Sequence, residues 1–136
     1  LISDVINRRR VPMDDTTAPL FRQIAGLIED GVIDGTLSPG SRAPSTNELA
    51  DFHDINPATA RRGLSLLVDS GVLEKRRGIG MFVTVGARDL IVARRREDFA
   101  ANYLAPLIDE AVKLDFTRAD IRHLIDAVAE SRGLYR

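Results

Sequence analysis

Residues 45–71 read STNELADFHDINPATARRGLSLLVDSG, and two helix starts stand within them. Ser45-Thr46-Asn47-Glu48 is a capping box, in which the serine hydroxyl accepts the N–H of residue 48 while the glutamate reaches back to the N–H of residue 45. It predicts a short helix through about His53. After a tight corner, Asn56 caps again and Pro57 takes the first helical position, where a missing N–H costs nothing. In the helix that follows, Ala60, Leu64, Leu67 and Val68 make one apolar stripe, while Ala58, Arg62, Ser65 and Asp69 face away. Gly71 ends it. Capping explains Asn56 and Pro57 but leaves Arg61 and Arg62 without a purpose.

Upstream, Thr17 can cap a helix with Pro19 in its first turn, and Leu20, Ile24, Leu27 and Ile28 then share a face. That helix should fade near Gly35, and TLSPGSRAP (36–44) reads as a turn-rich connection. Downstream, VLEKRR (72–77) and MFVTV (81–85) look like two strands joined through Gly78-Ile79-Gly80, a hairpin with a basic tip. Helix, short helix, corner, helix and hairpin is the order of a winged helix-turn-helix. In that unit the second helix of the pair enters the major groove and the hairpin lies beside it. Both Arg61-Arg62 and Lys75-Arg76-Arg77 would then lie on one side. The expected fold is mainly α with a small β-hairpin: an arm at 1–16, a winged helix-turn-helix at 17–85 and a two-helix dimerisation region at 87–136.

That last region is purely helical in pattern. Ala100, Leu104, Leu107, Ile108 and Ala111 form one stripe. Thr117-Arg118-Ala119-Asp120 is another capping box, followed by Ile121, Leu124, Ile125 and Val128 on one face. Pro106 would remove the bond to the Asn102 carbonyl and kink the first helix. A long bent helix and a shorter one folding back are expected. Two such helices bury little against each other, so a second copy of the chain is the economical partner. Leu104, Leu107, Ile108, Ala111, Ile121, Leu124, Ile125 and Val128 are the candidate dimerisation residues. The alternative is a monomer whose stripes pack back on the winged helix.

Composition sets the outer limits. The chain has 136 residues, 44% hydrophobic and 29% charged, the balance of an ordinary globular protein. Its lack of cysteine excludes disulfides and thiol catalysis, and fits a cytoplasmic setting. No apolar run approaches a membrane span. Nineteen basic against twenty acidic side chains leave a formal net charge of −1, which argues mildly against nucleic acid. The local field matters more than the sum, however, and the charges are bunched. Arg8-Arg9-Arg10, Arg61-Arg62, Lys75-Arg76-Arg77 and Arg94-Arg95-Arg96 are basic runs, whereas acidic residues dominate 109–130.

From Pro19 to Val83 the chain resembles the GntR family of bacterial transcription regulators. PLFRQI opens the first helix, GTLSPGSRAPSTNELA carries the turn and second helix, and SGVLEKRRGIGMFV resembles the wing. The start NPATARRGL is similar to the YtrA-type branch. The resemblance implies that Ser45 and Thr46 hold a phosphate, that Ala58, Thr59 and Arg61 face DNA, and that Arg77 and Gly78 approach the minor groove from the wing tip. Arg76 stands in the same basic run. Many relatives carry arginine where this chain has Asn47 and Pro57, which makes Arg62 a stronger candidate here. Arginine's planar fork can bond guanine O6 and N7, or a phosphate, in a geometry that lysine cannot match; the bland alternative is a solvated helix face.

The resemblance further implies a non-enzymatic repressor that binds a palindromic double-stranded DNA operator as a homodimer. It implies no cofactor or metal, and leaves any small-molecule effector unidentified. The competing class is a winged helix used for protein interaction without DNA. Other signals are weak. Gly78-Ile79-Gly80 lacks the lysine and hydroxyl of a phosphate-binding loop and reads as a turn. His53 and His123 have no second ligand nearby. Asp109 with Glu110, and Asp126 with Glu130, read as solvated faces. Arg94 to Arg96 read as a solvated turn of helix, with flanking DNA phosphates as the other option; Arg8 to Arg10 fit either an arm on the DNA backbone or a tail.

Overall fold

The computed structural model describes residues 18–136; a cap at Thr17 and the arm with Arg8 to Arg10 lie outside the described residues. Helix α1 runs Leu20–Asp34. Pro19 stands at its N-cap rather than in its first turn, so the helix starts two residues later than a cap at Thr17 would put it. Its ψ of 144 is extended, so only its carbonyl joins the helix, accepting from the N–H groups of Arg22 at 3.0 Å and Gln23 at 3.2 Å. Helix α2 runs Thr46–His53 and carries both bonds of the Ser45–Glu48 capping box. Asp54 then takes a left-handed turn at φ 52. Asn56 Oδ1 accepts the N–H of Ala58 at 2.8 Å, and α3 runs Pro57–Asp69 with proline in its first turn.

Strands β1 (Leu73–Arg76) and β2 (Gly80–Val83) pair antiparallel, with Leu73 opposite Val83 and Arg76 opposite Gly80. They are shorter than the sequence suggests, because the N–H of Val72 turns back to the Leu67 carbonyl at 2.9 Å. Thr84 still donates its N–H to Val72 O at 3.1 Å, and its hydroxyl to the Gly71 and Val72 carbonyls at 2.5 and 2.8 Å. The connection at 40–43 is more than turns. It lies along the outer edge of β2, with the N–H of Ala43 donating to Met81 O at 2.8 Å and that of Val83 to Ser41 O at 2.9 Å. An edge strand needs partners for its backbone groups, and this segment supplies them.

Helix α4 is Ala87–Phe99, a π-helical turn follows at Ala100–Leu104, and α5 is Ala105–Lys113. Proline at 106 has no N–H for the Asn102 carbonyl. The backbone absorbs the loss by widening: the N–H of Ala105 reaches the Ala100 carbonyl, five residues back. Helix α6 is Arg118–Arg132, and its Thr117–Asp120 capping box has both bonds, at 3.1 and 2.8 Å. Among the described residues no helix is long and apolar enough to cross a membrane.

The described residues pack as two units that divide inside α4, after Arg95. The first has one core, built from Ile24, Ile28 and Val32 of α1, Leu49 of α2, Leu64 and Leu67 of α3, and Val72, Leu73 and Val83 of the hairpin. Ala87 and Ile91 of α4 complete it. In the second unit Ala111 is buried, Leu107, Ile121, Leu124 and Val128 are half-buried, and Leu104, Ile108 and Ile125 remain exposed at 41%, 48% and 44%.

Candidate nucleic-acid interface

The start of α2 and the wing face each other across a groove. Ser45 and Thr46 line one wall, Lys75, Arg76 and Gly78 the other, and Arg42 and Pro44 contribute from the segment that edges β2. Arg42 is the residue that sequence reasoning missed. Three places before a capping serine it reads as a loop cation, and only the pairing of its segment with β2, through the Arg42–Phe82 bridge, carries it to the wing. It lies across Gly80, where a Cβ would stand 3.0 Å from its Nε. Lys75, noted in the basic run without a role, joins the same groove. The Arg76 guanidinium lies over the Phe82 ring, 4.1 Å from its centroid.

A separate hollow forms where the first turns of α1 and α3 meet, lined by Leu20, Phe21, Ala58, Thr59 and Arg62. Here the Arg62 guanidinium covers the Phe21 ring at 3.9 Å, with Arg22 farther off at 5.4 Å. The candidates from the sequence thus fall into two groups: Ser45, Thr46, Arg76 and Gly78 in the groove, and Ala58, Thr59 and Arg62 in the hollow. Arg61 and Arg77 are exposed and line neither. Among the described residues no ion pair engages Arg61, Arg62, Arg76 or Arg77.

The run at 94–96 behaves differently, and the expectation of a solvated turn fails for two of its members. Arg94 pairs with Glu29, a buried carboxylate of α1. Arg95 reaches Glu29 at 3.3 Å and Asp30 at 2.7 Å. Partial burial works against the charge on Arg95, but the hydrogen bonds and charges of Asp30 and Glu29 outweigh it and hold the guanidinium above its ordinary pKa. These arginines fasten α4 to α1. A carboxylate buried on α1 draws them there, and only tertiary contact could reveal it.

The remaining signals are structural. Ile79 donates its N–H to the Arg76 carbonyl at 3.0 Å and Gly78 has φ 77, the geometry of a turn. His53 meets the Phe52 ring edge-on at 4.9 Å, and Glu110 pairs with Lys113 at 3.8 Å on an exposed face. The Glu48 carboxyl is held below its usual pKa by the Ser45 backbone N–H it accepts, then by the Ser45 side chain, with Arg42 a smaller contributor.

Comparison with known proteins matches this architecture. YhcF of Bacillus subtilis, an HTH-type transcriptional regulator, is 28% identical over 115 residues, covering 85% of this chain and 93% of that protein. The transcriptional repressor YtrA of Bacillus subtilis is 29% identical over 77 residues, covering 57% of this chain and 59% of that protein. Other relatives are far longer: the regulator YdeF of Bacillus subtilis is 32% identical over 55% of this chain, which spans 16% of its length. A crystal structure of a GntR-family regulator from Bacteroides thetaiotaomicron superposes with a TM-score of 0.64 at 27% identity, covering 83% of this chain and 98% of that one. The family model for bacterial regulatory proteins of the GntR family matches residues 20–83, the stretch from the first turn of α1 to the end of β2. Residues 20–83 are therefore a GntR-family domain, and the relatives that share it are regulatory proteins rather than enzymes.

Proposed function

We propose that this protein is a sequence-specific DNA-binding transcription regulator that acts as a repressor by covering a promoter. The observation that carries the reading is the set of four arginines on α3 and the wing that no carboxylate neutralises among the described residues. In a chain of net charge −1, surface cations kept clear of acidic partners make a local field suited to phosphates. Ser45, Thr46, Arg42, Lys75, Arg76, Arg77 and Gly78 then hold the backbone, and Ala58, Thr59, Arg61 and Arg62 read base edges. The printed name of YtrA as a repressor supports the direction of regulation. A protein of this kind works in the cytoplasm, where its DNA lies.

A palindromic operator and a homodimer belong to the same proposal. Leu104, Ile108 and Ile125 keep apolar surface exposed on a unit whose own core is thin, and a second copy covers it economically. The test is selection of bound sequences from a random duplex pool, followed by titration of the winner at several salt concentrations. The expected result is an inverted repeat bound with salt-sensitive affinity and a mass in sedimentation of two chains. Absence of any salt-sensitive affinity for duplex would favour the protein-interaction reading instead.

A further inference from the structure

We infer that Phe21, in the first turn of α1, is a positioning residue that sets the guanidinium plane of Arg62 before DNA arrives. The inference rests on the DNA-binding reading above and concerns how that surface achieves its selectivity.

The geometry begins with Gly63. A Cβ there would come within 2.8 Å of the Phe21 carbonyl oxygen, so the absence of a side chain lets the α1 backbone lie directly against α3. That approach brings the ring of Phe21 beneath the residue next to Gly63. The Arg62 guanidinium sits 3.9 Å from the ring centroid, well inside the range of a cation–π contact. Phe21 is half-buried and Arg62 is exposed, so the ring is anchored while the arginine faces solvent.

At 3.9 Å between guanidinium carbon and ring centroid no N–H fits between the two, so the guanidinium lies face-on over the ring. A stacked ring takes the face of the plane, while all five N–H donors radiate from its edge. No carboxylate takes those donors among the described residues. Stacking therefore removes rotamer freedom from the side chain without using any hydrogen-bonding capacity. An arginine fixed this way loses less entropy on meeting a base or phosphate. Arg61, one place earlier on the same helix, has no such platform among the described residues and pays that ordering on binding. The hollow beneath, lined by Ala58 and Thr59 beside the stack, leaves space for a base edge or sugar to approach the fixed fork. The Arg22 guanidinium carbon lies farther from the ring centroid, at 5.4 Å, so the close contact is that of Arg62.

The test is a double-mutant cycle with Phe21→Leu and Arg62→Ala, read on the selected duplex and on a scrambled one, with Phe21→Tyr as the conservative variant. Expected is a loss of roughly three- to thirtyfold for Phe21→Leu on the selected duplex, a much smaller loss on the scrambled one, and no further loss when Arg62 is already alanine. Phe21→Tyr, which keeps the ring, should bind as the parent does. Thermal unfolding of each variant separates a packing effect from a binding effect. Should Phe21→Leu fail to fold, Phe21→Met replaces it, similar in volume and ringless. If the parent binds duplex but the losses from Phe21 and Arg62 simply add, or are equal on both duplexes, Phe21 is packing alone and the inference falls. If the parent shows no salt-sensitive affinity for any duplex, the DNA-binding reading itself is wrong, and the inference goes with it.

Discussion

Gly63 and Phe21 touch backbone to backbone: a Cβ on the glycine would stand 2.8 Å from the phenylalanine carbonyl oxygen and 2.9 Å from Cγ2 of Ile24. No real Cβ tolerates such a contact, so Gly63→Ala must push α1 away from α3. Alanine would favour the helix itself by up to about 1 kcal/mol, while overpacking a tight core costs about 1–3 kcal/mol. A net loss of roughly 1–2 kcal/mol is expected, measured as a lower midpoint in urea. A midpoint equal to or above the parent's would show that the two helices separate freely.

Glu29 is the next point at which a single change should be felt. Its side chain is 11% exposed and serves both Arg94 and Arg95, which are each 40% exposed. Glu29→Gln should lower stability by about 1–2 kcal/mol, less than a fully buried pair would lose because solvent screens the arginines. Asp30→Asn, at a side chain 60% exposed, should change it by less than about 0.5 kcal/mol. Urea unfolding at low and high salt checks the contrast, and equal losses would remove Glu29 from its role as anchor.

Acid should loosen the helix starts. Glu48 is held below its usual 4.5 by the Ser45 backbone and hydroxyl, and Asp120 below its usual 3.8 by the Thr117 backbone and hydroxyl. A carboxyl depressed in the folded state adds stability above its unfolded pKa and loses it as pH falls through the folded one. Thermal midpoints should therefore decline below about pH 4.5. Glu48→Gln keeps an acceptor for the Ser45 N–H without a proton to gain, so its midpoint should fall less between about pH 5 and about pH 3. A decline as steep as the parent's would place the acid sensitivity elsewhere.

Phosphate and base contacts should separate in titrations. Arg77→Ala should weaken binding to every duplex alike and reduce the log–log salt slope by about 0.9, the loss of one phosphate contact. Arg61→Ala or Arg62→Ala should cost about 1–3 kcal/mol and relax base preference. An unchanged slope for Arg77→Ala would take the wing tip out of the contact surface. Equal losses on cognate and scrambled duplexes would do the same for direct readout by α3.

Most of the helix starts were legible from the residues because capping is local. Ser45 with Glu48, Asn56 with Ala58, and Thr117 with Asp120 join groups two or three residues apart, and such bonds form wherever the chain turns into a helix. The same holds for the apolar stripes, which record what must be buried but not against what. Pro106 lies at the boundary. Its missing donor is visible in the sequence, yet whether the backbone kinks or widens depends on the turn that receives the freed carbonyl.

Only the folded chain decided the rest. That Arg42 edges the wing, that Arg94 and Arg95 serve Glu29 while Arg61 and Arg62 are spared, and that Phe21 lies beneath Arg62 each require segments far apart along the chain to meet. A run of arginines looks the same in sequence whether it faces solvent or a carboxylate. The sequence alone determined where most helices begin and which charges are available; the tertiary structure decided which charges are already neutralised, because an arginine's partner is chosen by distance in space.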